Sequence, residues 1–111
     1  MSIIAITELP PFTKKVAKIL SQEEQEALRT YLIQHPGKGD IIPGTGGIRK
    51  LRWAASGRGK RGGARVIYYY FVAGAEIYLM TCYKKNERED ITADEKKQLR
   101  KLVSLLTKRG G

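Results

Sequence analysis

The sequence predicts an α+β fold in which a mainly antiparallel sheet packs against helices, in the order β-α-α-β-β-β-α. Three observations carry that expectation. Ser21 with Glu24, and Thr92 with Glu95, have the spacing of capping boxes and mark two helix starts. Apolar residues recur at helical spacing near both ends of the chain and alternate along Ile48–Ala54 and Glu76–Tyr83, while Val66–Val72 is rich in β-branched and aromatic residues. Glycines at 57, 59, 62 and 63 separate Ile48–Ala54 from Val66–Val72, as the loop of a hairpin does.

Ile3 to Thr7 is a short β-branched run ending at Leu9-Pro10-Pro11. Proline suits a strand exit or a first helical turn, so a strand followed by a helix start is expected. Phe12, Val16, Ile19 and Leu20 then fall at i, i+4, i+7 and i+8, with Lys14, Lys15 and Lys18 on the other side, the pattern of one buried stripe. The helix capped by Ser21 should bury Ala27, Leu28, Tyr31 and Leu32. His35-Pro36-Gly37 should end it, because the residue before a proline is pushed out of the α region and Gly37 can take a left-handed turn. Lys38 to Gly47 is expected as a loop. In Ile48 to Ala54, alternation puts Ile48, Lys50 and Arg52 on one face and Arg49, Leu51 and Trp53 on the other. Leu51 and Trp53 should face the helices, leaving Lys50 and Arg52 on an open face. Val66 to Val72 is the next strand, and Gly74 marks a turn. Glu76 to Tyr83 then alternates Ile77, Leu79, Thr81 and Tyr83 against Tyr78, Met80 and Cys82. Leu99, Leu102, Val103 and Leu106 give a last amphipathic helix, ending in cations that suit its negative pole.

A chain of 111 residues suits one domain spanning 1–111, large enough to bury a core without disulfides. Its net charge of +10 points to a polyanionic partner. No acid lies between Asp40 and Glu76, whereas Arg49, Lys50, Arg52, Arg58, Lys60, Arg61 and Arg65 all do, which favours nucleic acid over an anionic membrane surface. No apolar run approaches the roughly 18 residues of a spanning helix, and the N-terminus lacks a signal-peptide pattern, so a cytoplasmic location is expected. Cys82 and His35 are the single cysteine and the single histidine, which leaves no disulfide framework and no Cys/His metal cluster; neither cofactor nor metal is expected.

Gly57 to Gly62 formally matches G-x-G-x-x-G, but that fingerprint must open a helix, and here a strand follows. The glycines are better explained as a hairpin tip. Arg58, Lys60 and Arg61 on that tip either form a solvated charge run or contact phosphate, whereas Lys50, Arg52 and Arg65 sit within strands, where a solvated face would mix in acids. One or two of Tyr68, Tyr69 and Tyr70 either belong to the core or stack on a base. Lys84, Lys85 and Asn86 close the third consecutive antiparallel strand and either solubilise it or complete a phosphate pocket.

Gly44-Thr-Gly-Gly-Ile-Arg-Lys-Leu-Arg-Trp, then Gly59-Lys-Arg-Gly-Gly-Ala-Arg-Val-Ile-Tyr-Tyr and Tyr83-Lys-Lys-Asn-Glu, resemble toxins of the RelE/HigB superfamily, in particular its HigB branch. The resemblance implies a RelE-like fold and the toxin of a type II toxin–antitoxin system. It implies an endoribonuclease that enters the ribosomal A site and cuts mRNA during translation, held by a helix-turn-helix antitoxin and touching operator DNA only through that complex. Carried across by position, Lys50, Arg52, Arg65 and Lys85 are the expected catalytic set. Arg49, Arg58, Lys60, Arg61, Tyr69, Lys84 and Asn86 are the expected RNA contacts. Asn86 stands where RelE has an arginine, and Ile91 stands near the place of a catalytic tyrosine. RNA cleavage through the 2′-hydroxyl needs a base, stabilisation of a dianionic phosphorane and an acid. Lysine and arginine supply the charge stabilisation without a metal, and Lys50 or Lys85 is the expected proton carrier. A non-catalytic nucleic-acid-binding module, or a toxin of the same fold acting on DNA gyrase, are the alternative readings.

Overall fold

The computed structural model describes residues 3–53, 63–88 and 90–108. Its elements run β1 (Ala5–Glu8), α1 (Pro10–Ile19), α2 (Gln22–Gln34), β2 (Asp40–Ile41), β3 (Arg49–Trp53), β4 (Ala64–Phe71), β5 (Glu76–Lys84) and α3 (Ala93–Lys108). The expected order is present with one addition. β2 lies in the stretch expected as loop, and pairs Asp40 with Lys50 and Ile41 with Arg49 at the sheet edge. A two-residue strand leaves no periodicity to read.

The five strands lie in the order β1-β5-β4-β3-β2. β1 runs parallel to β5, and the other pairs are antiparallel. The parallel pairing follows from connectivity, since α1, α2 and three strands intervene before the chain returns beside β1.

Each face of the sheet has its own core. Phe12 and Val16 of α1 with Leu28 and Leu32 of α2 pack against Leu51, Val66, Tyr68, Ile77, Leu79 and Cys82. Leu99 and Val103 of α3 pack against Ile42, Ile48, Ile67, Tyr78, Met80 and Tyr83 on the other face. The face expected to be open is therefore partly covered, because the apolar stripe of α3 is buried there. Ala27, placed by spacing in the stripe of α2, is exposed.

The alternation expected along β5 breaks in the middle. Ile67 pairs with Thr81 but Tyr68 pairs with Leu79, so Met80 is an extra residue and β5 carries a bulge. One inserted residue exchanges the faces beyond it, and Cys82 joins the core of Ile77 and Leu79 while Tyr83 joins that of Tyr78 and Met80. This displacement brings Tyr83 to the α3 side.

Both capping boxes form. Glu24 N–H donates to Ser21 Oγ at 3.1 Å and Ser21 N–H to Glu24 Oε1 at 2.7 Å; Thr92 and Glu95 repeat the exchange at 3.1 and 2.8 Å. Ser21→Ala should lower stability by about 1 kcal/mol in urea unfolding with the slope unchanged, since it removes one cap and exposes no core. α2 stops at Gln34, and His35 takes non-helical angles (φ −135°, ψ 62°). The left-handed turn expected at Gly37 does not form; among the described glycines, positive φ falls at Gly44, Gly46 and Gly47.

Close packing holds the segment that leads into β3. Tyr68 is fully buried; its hydroxyl donates to Pro36 O at 2.7 Å and accepts from Gly39 N–H at 2.9 Å. A Cβ at Gly39 would stand 2.8 Å from the Tyr68 ring, so only glycine lets the backbone pass. Thr45 is buried and pins the next turn, donating to Ile42 O at 2.6 Å and accepting from Ile48 N–H at 3.1 Å.

Candidate nucleic-acid interface

The register of the sheet assembles a row of polar side chains on the α3 side. Arg52 lies opposite Arg65, and Arg65 lies opposite Tyr83, so three strands each contribute one member. Directly opposed residues on a ladder have Cβ atoms about 4.5–5.5 Å apart. Lys50, two residues before Arg52, shares its face and is opposite Ile67. Arg65 is only 8% exposed, and Arg52 is exposed. Among the described residues neither guanidinium has a carboxylate within salt-bridge distance. Like charges opposed across a ladder are destabilising. A pair kept there without a neutralising acid fits an anion from outside.

Acids do reach the head of the row, from elsewhere in the chain. Lys50 Nζ donates to Asp90 Oδ1 at 3.2 Å, and Asp90 also caps the backbone of Ile91. A cleft of about 260 Å³ opens here, lined by Asp40, Ile42, Pro43, Lys50, Arg52 and Asp90 among others. The sequence stretch free of acids thus becomes, in three dimensions, a cationic row with carboxylates at one end.

Tyr83 is the member that sequence reasoning missed as a site residue. It is buried, and burial is the main cause that pushes its phenol above the usual tyrosine value; Asp90 raises it further, while Arg88 and Arg65 oppose. The Arg88 guanidinium lies over its ring, 4.6 Å from the centroid. Arg88 also makes two bonds to the Glu95 carboxylate, at 2.8 and 3.0 Å. Burial pushes Glu95 up, but the bonds from Arg88 and from the Thr92 N–H outweigh it and hold its carboxyl below the usual value. Signals for this cluster were present in Tyr83-Lys-Lys and in the Thr92 box, but only the bulge turns Tyr83 towards α3.

The other expected site residues separate. Arg49 is on the opposite face, where its Nη1 donates to Gly37 O at 3.1 Å and Gly39 O at 2.7 Å, so it braces the entry to β2. Tyr69 is half-buried with its ring over Gly47, packed against the α3-side core. Lys84 ends β5, and Lys85 and Asn86 are exposed in the following turn, where Lys85 N–H donates to Gly63 O at 2.9 Å. Arg58, Lys60 and Arg61 lie outside the described residues. Cys82 is a buried thiol pushed up to about 11 by desolvation, so it is inert at neutral pH.

Burial also raises the Tyr68 phenol. For both tyrosines the folded value lies above the unfolded value of 10.0. Their contribution to stability is therefore complete below that pH and is lost as pH rises through the folded values. Alkaline absorbance titration should show Tyr68 and Tyr83 ionising above the ordinary tyrosine value of 10.0, and denaturant midpoints should fall above about pH 10.

The geometry defines a small, basic α+β protein whose sheet carries a row of cations able to hold a phosphate. The family model describing the RelE toxin of the RelE/RelB toxin–antitoxin system matches residues 12–110, and the chain belongs to that family. It is a toxin of a toxin–antitoxin system, with an antitoxin as partner. Among solved structures, a mutant of the E. coli toxin RelE in the free state is similar, with a TM-score of 0.57 and 14% sequence identity over 79% of this chain and 90% of that chain. That likeness is one of fold.

Proposed function

We propose that the protein is a ribosome-dependent endoribonuclease of the HigB branch that cuts mRNA in the ribosomal A site through the RNA's own 2′-hydroxyl. The observation that carries this reading is the in-register row Arg52–Arg65–Tyr83, with Lys50 beside it. The glycine-rich segment resembling HigB supports the branch. In this reading the 2′-oxygen attacks phosphorus, the bond to the 5′-oxygen breaks, and a 2′,3′-cyclic phosphate and a 5′-hydroxyl result. Arg52 and Arg65 hold the non-bridging oxygens and stabilise the charge that grows on them. Tyr83 keeps its proton at neutral pH and donates towards the departing oxygen. Asp90, oriented by Lys50, accepts the 2′-hydroxyl proton. Lys85, exposed in the turn beyond β5, contacts the RNA backbone rather than the reacting atoms.

The protein works in the cytoplasm on mRNA and ribosomes, and a helix-turn-helix antitoxin holds it inactive and carries it to operator DNA. Primer extension on cellular mRNAs shortly after induction tests the reading. Discrete cuts within translated frames, absent with Arg65→Ala, are expected. RNA binding without cuts would make the protein a binding module, and DNA breaks with intact mRNA would favour a gyrase target.

A further inference from the structure

β1 pairs only with Glu76 to Leu79, so beyond the bulge the outer edge of β5 is left to α1. A cleft of about 470 Å³ lies between them, within the roughly 300–1,000 Å³ of small-ligand sites. Its lining includes the partly buried Ile19, the buried Tyr83, and the cations Lys15, Lys18, Lys84 and Arg88. Arg88 is committed to Glu95 and to the Tyr83 ring, and forms a wall. The one carboxylate in the lining, Glu87, is turned to its own backbone and accepts from Lys84 N–H at 3.2 Å. Lys15 donates to the Thr81 hydroxyl at 3.4 Å. Among the described residues Lys15, Lys18 and Lys84 have no ion-pair partner.

We propose that this α1–β5 cleft is a second RNA subsite, which seats a nucleotide next to the cut, its base against Ile19 and its phosphate on Lys15, Lys18 and Lys84. The proposal rests on the ribonuclease reading above. Tyr83 links the two places, since it lies opposite Arg65 in the cation row and also lines the cleft. A strand whose scissile phosphate sits on Arg65 runs past Tyr83 into the cleft. An isolated basic groove would suit an acidic peptide equally well, and this continuity is what favours RNA.

The test measures binding apart from cleavage. The probe is a labelled single-stranded RNA of about six nucleotides, methylated at every 2′-oxygen so that it cannot be cut. Its affinity for the full-length protein is followed by fluorescence anisotropy across a salt series. Lys15→Gln/Lys18→Gln should weaken binding about tenfold at low salt and flatten the logarithmic salt slope by about 0.7, the share of the one phosphate no longer neutralised. Both lysines are exposed, so the melting temperature should not move. Affinity and slope equal to wild type would overturn the subsite, even if wild type and variant both cut mRNA. Lysine-dependent binding by a wild type that cuts nothing would sustain the subsite and retire the ribonuclease reading. Weakened antitoxin affinity with unchanged RNA affinity would assign the cleft to the antitoxin and overturn the proposal.

Discussion

Arg65→Ala is expected to lower the rate of mRNA cleavage about 10²–10³-fold, the usual loss when one preorganised charge-stabilising donor is removed from a reacting centre. Arg65 sits at the middle of the row, between Arg52 and Tyr83. It is also largely withdrawn from water, where its charge is less screened than on the surface. The substitution should not unfold the protein, because it removes one of two like charges that oppose each other across β3 and β4. Relief of growth arrest with an unchanged melting temperature is the expected pair of results. Full toxicity in soluble Arg65→Ala would remove Arg65 from the mechanism.

Phe12→Ala should give the opposite pair. Phe12 is 1% exposed at the centre of the core between α1, α2 and the sheet. Truncating a buried phenylalanine costs about 3–5 kcal/mol. The melting midpoint should drop by about 10 °C or more. Toxicity should fall only as the folded fraction falls, so material folded at low temperature should cut mRNA at the wild-type rate. A Phe12→Ala protein that kept its midpoint but no longer cleaved would contradict this packing.

How far the sequence could be read depended on the range of the interactions involved. Capping and amphipathic spacing are local, and Ser21, Thr92 and the stripes of α1 and α3 are found where those signals point. The faces of β3 were legible for the same reason, with Leu51 buried under α1 and α2 and Lys50 turned the other way. Three features needed the fold. The bulge at Met80 depends on how β4 and β5 pair and leaves no mark in either strand alone. The Lys50–Asp90 contact joins residues 40 positions apart. Arg49 looks like its basic neighbours in sequence, yet the Gly37 and Gly39 carbonyls engage it on the far face.

The central claim is that the cation row cuts mRNA only when a ribosome has stretched the message into place. Holding reacting groups in line can contribute about 7–11 kcal/mol, and a free RNA chain must find that geometry by itself. The most direct measurement incubates purified wild-type and Arg65→Ala protein with one defined mRNA, with and without translating ribosomes, and maps the ends produced. Discrete cuts by wild type with ribosomes, few or none on naked RNA, and none by Arg65→Ala are the expected results. Equal cleavage of naked RNA at the same positions would contradict the claim.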